Sequence, residues 1–139
     1  MRYLLDTNVI SELVARQPDP AVLTWIEALD QTAIYLSVIT IGEIHRGIER
    51  LPESAKRDRL RAWLTEDLLV RFADRIVPID VGVMMAWGSM VARLISEGRP
   101  LSAMDSLIAA QAIHHRYSLV TRNESDFRDT GVNVMNPWR

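Results

Sequence analysis

Two kinds of apolar pattern alternate along the chain. Short β-rich runs are followed by longer stretches in which apolar residues return every three or four positions. Residues 2–5 read as a strand, and 7–15 as a short helix. "PDPAVLTWIEALD" sets two prolines at a helix start, where a missing N–H does no harm, and Val22, Trp25, Ile26 and Leu29 follow at helical spacing. "AIYLS" (33–37) alternates like a strand, and Val38, Ile41, Ile44 and Ile48 restore the helical period.

Residues 53–75 read as one long amphipathic helix carrying Leu60, Trp63, Leu64, Leu68 and Phe72 on one side. "RIVPI" (75–79) is a short strand whose Pro78 belongs at an edge or a strand end. Helices over 81–97 and 102–116 lead to "SLVT" (118–121) as a fourth strand. Val132 and Val134 suggest a last short strand before "NPWR". Strands alternating with helices imply an α/β domain with a parallel sheet of four to five strands, covered on both faces.

At 139 residues, with 48% hydrophobic and 24% charged positions, the chain has the size and composition of one globular domain spanning 1–139. It has no cysteine, which excludes disulfides, thiolate zinc sites and a cysteine nucleophile. Every apolar run is broken by a charged residue or histidine before membrane-spanning length, and Asp6 interrupts the N-terminal run before a signal sequence forms. The expectation is a soluble, cytoplasmic protein without a membrane partner. A net charge of −2 does not advertise a nucleic-acid binder by its overall field.

Candidate chemistry comes from the carboxylates. Asp6 directly follows the apolar "YLL", where burial of an unpaired carboxylate is costly. In open α/β sheets ligands bind at the carboxyl ends of strands, and three more acids fall near such ends. Glu43 lies in the first turns of the helix after the second strand, Asp105 opens the helix that leads into the fourth strand, and Asp126 follows that strand. "TIGE" and "SAMD" also fit the capping-box spacing, so each acid taken singly reads as a helix cap as well.

Periodicity separates them. Asp105 shares a stripe with Ile108, Ala109 and Ala112 and points inward. Glu43 lies opposite the Val38/Ile41/Ile44/Ile48 stripe, beside Arg46 and Arg50, which reads as a solvated face with an ion pair. Carboxylates converging on one sheet edge repel one another, and a hard divalent cation, Mg²⁺ or Mn²⁺, resolves that conflict and pairs with phosphate oxygens. Asp6 is a metal ligand on this reading, and the cation offsets the cost of its burial.

Competing chemistries lack their residues. The chain has no P-loop, no GxGxxG after a strand, no GxSxG and no HExxH. Asn8 stands where a haloacid-dehalogenase-like phosphatase has its second aspartate, and a receiver domain's paired acids and late lysine are absent. His114 and His115 fit a helix C-terminus, and Arg57, Arg59 and Arg61 a solvated helix face.

"LLDTNVISEL", "SVITIGEIHRGIERL", "PLSAMDSLIAAQA" and "LVTRNESDF", in that order and over nearly the whole chain, resemble the PIN-domain ribonucleases. The likeness is to the VapC toxins of bacterial toxin–antitoxin pairs, with the FitB-like branch nearest in length and in its "NPW" ending. The resemblance implies a three-layer α/β/α fold and a Mg²⁺-dependent endoribonuclease in which Mn²⁺ substitutes. It further implies a homodimer, with a VapB/FitA-like antitoxin that blocks the site, binds operator DNA and builds a higher assembly.

Position by position, Asp6, Glu43 and Asp105 match the family's acids, and Asn8, Thr121 and Asn123 its supporting polar positions. On that footing Asp6 and Asp105 are expected to hold the cation directly, with Glu43 acting through a water. Many relatives carry a fourth acid where Asn123 stands, so either Asp126 takes that role through a water or it only caps a helix over 124–128. Arg46 and Arg50 meet flanking RNA phosphates or pair with Glu43. The rival readings are a non-catalytic PIN-like binding module and a DNA-directed metal nuclease.

Overall fold

The computed structural model describes residues 1–139. Five strands form one all-parallel sheet: β1 (Tyr3–Leu5), β2 (Ile34–Ser37), β3 (Ile76–Val77), β4 (Ser118–Val120) and β5 (Val134–Met135). Their spatial order is β3-β2-β1-β4-β5, so β1 is central and Leu5 pairs with Leu36 on one side and Val120 on the other. β3 is an edge strand, as Pro78 requires.

Eight α-helices connect and cover the strands: α1 (Thr7–Leu13), α2 (Pro20–Glu27), α3 (Val38–Glu49), α4 (Ala55–Ala62), α5 (Leu69–Arg71), α6 (Val81–Ser96), α7 (Ala103–His115) and α8 (Glu124–Phe127). Successive strand residues point to opposite faces, and the core divides accordingly. Leu4 and Leu119 face α6 and α7, packing with Val83, Met90, Leu94 and Ile108. Leu5, Leu36 and Val120 face the other layer, packing with Val9, Val22, Ile48, Leu64 and Phe72. This is the three-layer α/β/α architecture that the resemblance implies.

Two expectations change. The helix expected over 53–75 runs only from Ala55 to Arg71, and a π-helical stretch, Trp63–Leu68, separates α4 from α5. Widening that turn keeps both Leu64 and Leu68 buried. The strand expected over 75–79 contracts to Ile76–Val77, and Arg75 instead ties the preceding turn to β2 through its guanidinium and the Ile34 carbonyl.

Gln111 locks the α7 layer to the sheet. Wholly buried, it accepts a hydrogen bond from Ser37 Oγ at 2.5 Å and donates to the Val77 and Pro78 carbonyls at 3.0 and 3.1 Å. No helix is long and apolar enough to cross a membrane.

Candidate active site

The parallel sheet brings the carboxyl ends of β1, β2 and β4 to one edge, and the helices that leave or approach there carry the acids. Asp6 ends β1 and is the N-cap of α1, accepting from Thr7 N at 2.9 Å. Its other oxygen accepts from Thr121 Oγ1 at 2.9 Å, just past β4, and from Asn8 Nδ2 at 3.4 Å. Only 8% of its surface is exposed. Burial pushes its pKa above the usual range, and the charges of Asp105 and Glu43 push the same way, against the hydrogen bonds from Thr121 and Thr7.

Asp105 sits in the first turn of α7, whose N-cap Ser102 accepts from the Asp105 backbone N–H at 3.3 Å. It is half-buried above Ile108, Ala109 and Ala112, as its stripe predicts. Burial again raises its pKa, reinforced by the charges of Asp126 and Glu43 and opposed by Ser102. Two carboxyl groups on separate elements thus line one cavity, each with a pKa raised chiefly by burial.

Glu43 departs from the sequence reading. It makes no ion pair with Arg46 or Arg50, which are both exposed, and it is half-buried rather than solvated. Thr7 Oγ1 donates to Glu43 Oε1 at 2.5 Å and lies 3.4 Å from Thr40 Oγ1. The buried face of α3 is Ile39, Thr40 and Ile48, so Glu43, three residues after Thr40, turns toward Asp6. A buried threonine shifted the helical face away from the stripe that the aliphatic residues suggested.

The cavity at this edge holds about 520 Å³, and Asp6, Glu43 and Asp105 line it together with Glu12. Asn8 and Asn123 also line it, and Thr121 underlies it, wholly buried. Thr121 Oγ1 accepts from Asn8 Nδ2 at 3.2 Å and from Asn123 N at 3.1 Å while donating to Asp6. Asp126 is exposed, stands outside the cavity wall beside Arg99 and Asp129, and acts on Asp105 by its charge. Arg46 borders a neighbouring groove with Val38, Ile79 and Met104.

Five residues lining the cavity escaped the sequence reading: Thr7, Ser11, Glu12, Arg122 and Trp138. Thr7 lies inside the "DTN" that pointed to Asp6, and Glu12 follows Asn8 by one helical turn, so both had a local signal. Arg122 was readable as the middle of "TRN". Trp138 stands out only as part of the "NPW" ending, and no local pattern places it at the cavity, because the chain must fold back past β5 to bring it there.

No three histidine, aspartate or glutamate side chains are drawn together as a ready-made metal cage. The donor set is all oxygen, with two carboxyl groups of raised pKa, and this fits a hard divalent cation that keeps part of its water shell. Such an arrangement can bind a cation, hold a water beside Glu43 and take a phosphodiester across the cavity mouth.

A family model, "PIN domain", matches residues 3–133. The chain is 36% identical to the VapC ribonuclease Y4jK of Sinorhizobium fredii, covering 97% of this chain and 96% of that one. It is likewise 36% identical to the toxin FitB of Neisseria gonorrhoeae, covering 97% of both. A solved structure of FitAB bound to an IR36 DNA fragment superposes with a TM-score of 0.93 at 35% identity, covering 99% of this chain and 96% of that one.

Proposed function

This chain belongs to the PIN-domain family, beside toxins of the VapC and FitB type, and on that footing we propose that it is an endoribonuclease toxin. It works as a single PIN domain over residues 1–139 in the cytoplasm, cutting RNA phosphodiester bonds with the aid of Mg²⁺ or Mn²⁺. The observation that carries this reading is the pair Asp6 and Asp105. Both are held at the carboxyl edge of a parallel sheet, and both have pKa values raised by burial in a cavity lined with further acids.

Asp6 and Asp105 would hold the cation, and Thr121 with Thr7 would fix the Asp6 carboxylate through one oxygen each. A divalent cation bound there lowers the pKa of water and neutralises charge on the phosphodiester. Glu43 is oriented by Thr7 at Oε1, which leaves Oε2 to accept the proton of an attacking water. Asn8 and Thr121 keep the Asp6 side chain in one rotamer across the reaction. Asp126 tunes Asp105 electrostatically from outside the cavity.

The partners follow from the same family. A VapB/FitA-like antitoxin blocks the site and carries the complex to operator DNA, and the chain pairs as a homodimer within that assembly. The test is cleavage of end-labelled structured RNAs by partner-free protein, with Mg²⁺ or Mn²⁺ and with EDTA, beside an Asp105→Asn variant purified identically. Discrete metal-dependent cuts absent from the variant are the expected outcome. Equal cutting by both preparations would mean a contaminating ribonuclease, and wild type that binds the metal but cuts no RNA would overturn the reading.

A further inference from the structure

An RNA backbone entering this cavity meets Asp6, Glu12, Glu43 and Asp105, and the wall contains one cation, Arg122. Seven other arginines of the chain pair with carboxylates: Arg57, Arg61, Arg71, Arg75, Arg93, Arg99 and Arg139. Arg122, surrounded by acids, does not. Its guanidinium carbon lies 5.3 Å from the centre of the Trp138 ring, and its backbone N–H donates to Asn8 Oδ1 at 3.4 Å. Stacking on an aromatic face leaves the in-plane N–H fork of an arginine available to a ligand.

Trp138 is itself anchored. Its indole N–H donates to Glu12 Oε1 at 3.1 Å, and its backbone N–H to Asn136 Oδ1 at 2.9 Å. Glu124 of α8 takes Asn136 Nδ2 at 3.1 Å and Arg139 Nη2 at 3.0 Å, fastening the last four residues to the same edge of the molecule. The terminal segment therefore has a fixed position relative to α1 and to the "TRN" turn.

We propose that Arg122 is the phosphate anchor of this site and that Trp138 is the positioning residue that keeps its guanidinium over the cavity and off the carboxylates. The anchor recognises a backbone phosphate neighbouring the one that is cut, irrespective of base. Were Arg122 to fold onto Asp6 or Asp105 instead, it would compete with the cation for those oxygens. The inference rests on the ribonuclease reading above and adds to it a residue outside the acid set.

Binding separates the two. The probe is a mixed-sequence single-stranded RNA 20-mer, titrated against Asp105→Asn protein with and without Arg122→Gln over a series of salt concentrations. Loss of Arg122 is expected to weaken binding by about five- to tenfold and to reduce the salt slope by about 0.7, the share of one phosphate on a single strand. Arg122→Lys restores the slope but only part of the affinity, since an ammonium lacks the bidentate fork. Trp138→Ala weakens binding as Arg122→Gln does, while Trp138→Phe, which keeps an aromatic face, stays near the parent.

In the cleaving enzyme the same changes raise KM more than they lower kcat. Unchanged affinity and salt slope in Arg122→Gln would overturn the inference even if the parent enzyme cuts RNA. A parent that cuts no RNA would count against the ribonuclease reading, while the binding series still decides the role of Arg122.

Discussion

Thr121 and Asp6, 115 residues apart in sequence, are joined by a 2.9 Å hydrogen bond from the threonine hydroxyl to the aspartate Oδ2. The bond links the ends of neighbouring strands β4 and β1 and favours the charged form of Asp6, partly offsetting the burial that raises its pKa. Thr121→Val should push the Asp6 pKa further up and weaken Mn²⁺ binding by about tenfold or more, as loss of an outer hydrogen bond does at other metal sites. Thr121→Ser, which keeps the hydroxyl, should stay near the parent in the same calorimetric titration.

Asp6 should destabilise the metal-free protein at neutral pH. Its folded pKa lies above its unfolded one, so the folded state holds the proton more tightly. The native state is then favoured below the ordinary carboxylate range, and this advantage is lost as pH rises through the raised pKa. Asp6→Asn keeps a cap acceptor for Thr7 without the charge, so it should melt about 2–4 °C higher than wild type at pH 7 in EDTA. The difference should vanish in acid, and divalent cation should narrow it by stabilising only the wild type.

Glu43 tests the division of labour between holding the cation and moving a proton. Glu43→Gln preserves the shape and the Thr7 contact but removes the base. Cleavage should fall about 10²- to 10⁴-fold, with Mn²⁺ affinity changed far less than in Asp105→Asn. Single-turnover cleavage and calorimetry on the same preparations check both halves.

Gln111 carries stability rather than chemistry. Gln111→Leu would strip partners from the buried Ser37 hydroxyl and from the Val77 and Pro78 carbonyls. A cost of about 2–3 kcal/mol is expected in urea unfolding. Cation affinity should survive in the folded fraction.

Much of this was legible in the sequence because local pattern and global fold agree. Each strand lies within a residue or two of its apolar run, and Asp6 and Asp105 fall where a strand end and an inward helix stripe place them. The face of Glu43 was misread because Thr40, a polar residue, is wholly buried, while Val38 is 38% exposed. The π-helical stretch at Trp63–Leu68 was invisible because its apolar spacing also suits an unbroken α-helix. Trp138 reaches the cavity through a tail fastened by Glu12 and Glu124, and no periodicity encodes such a long-range contact.

The most direct test of a cation shared by Asp6 and Asp105 is calorimetric titration of Mn²⁺ into metal-free wild type, Asp6→Asn and Asp105→Asn, with RNA cleavage measured on the same samples. Saturable binding in wild type, lost together with cleavage in each variant, is the predicted result. Cleavage that persists in EDTA, or undiminished Mn²⁺ binding in both variants, would contradict it.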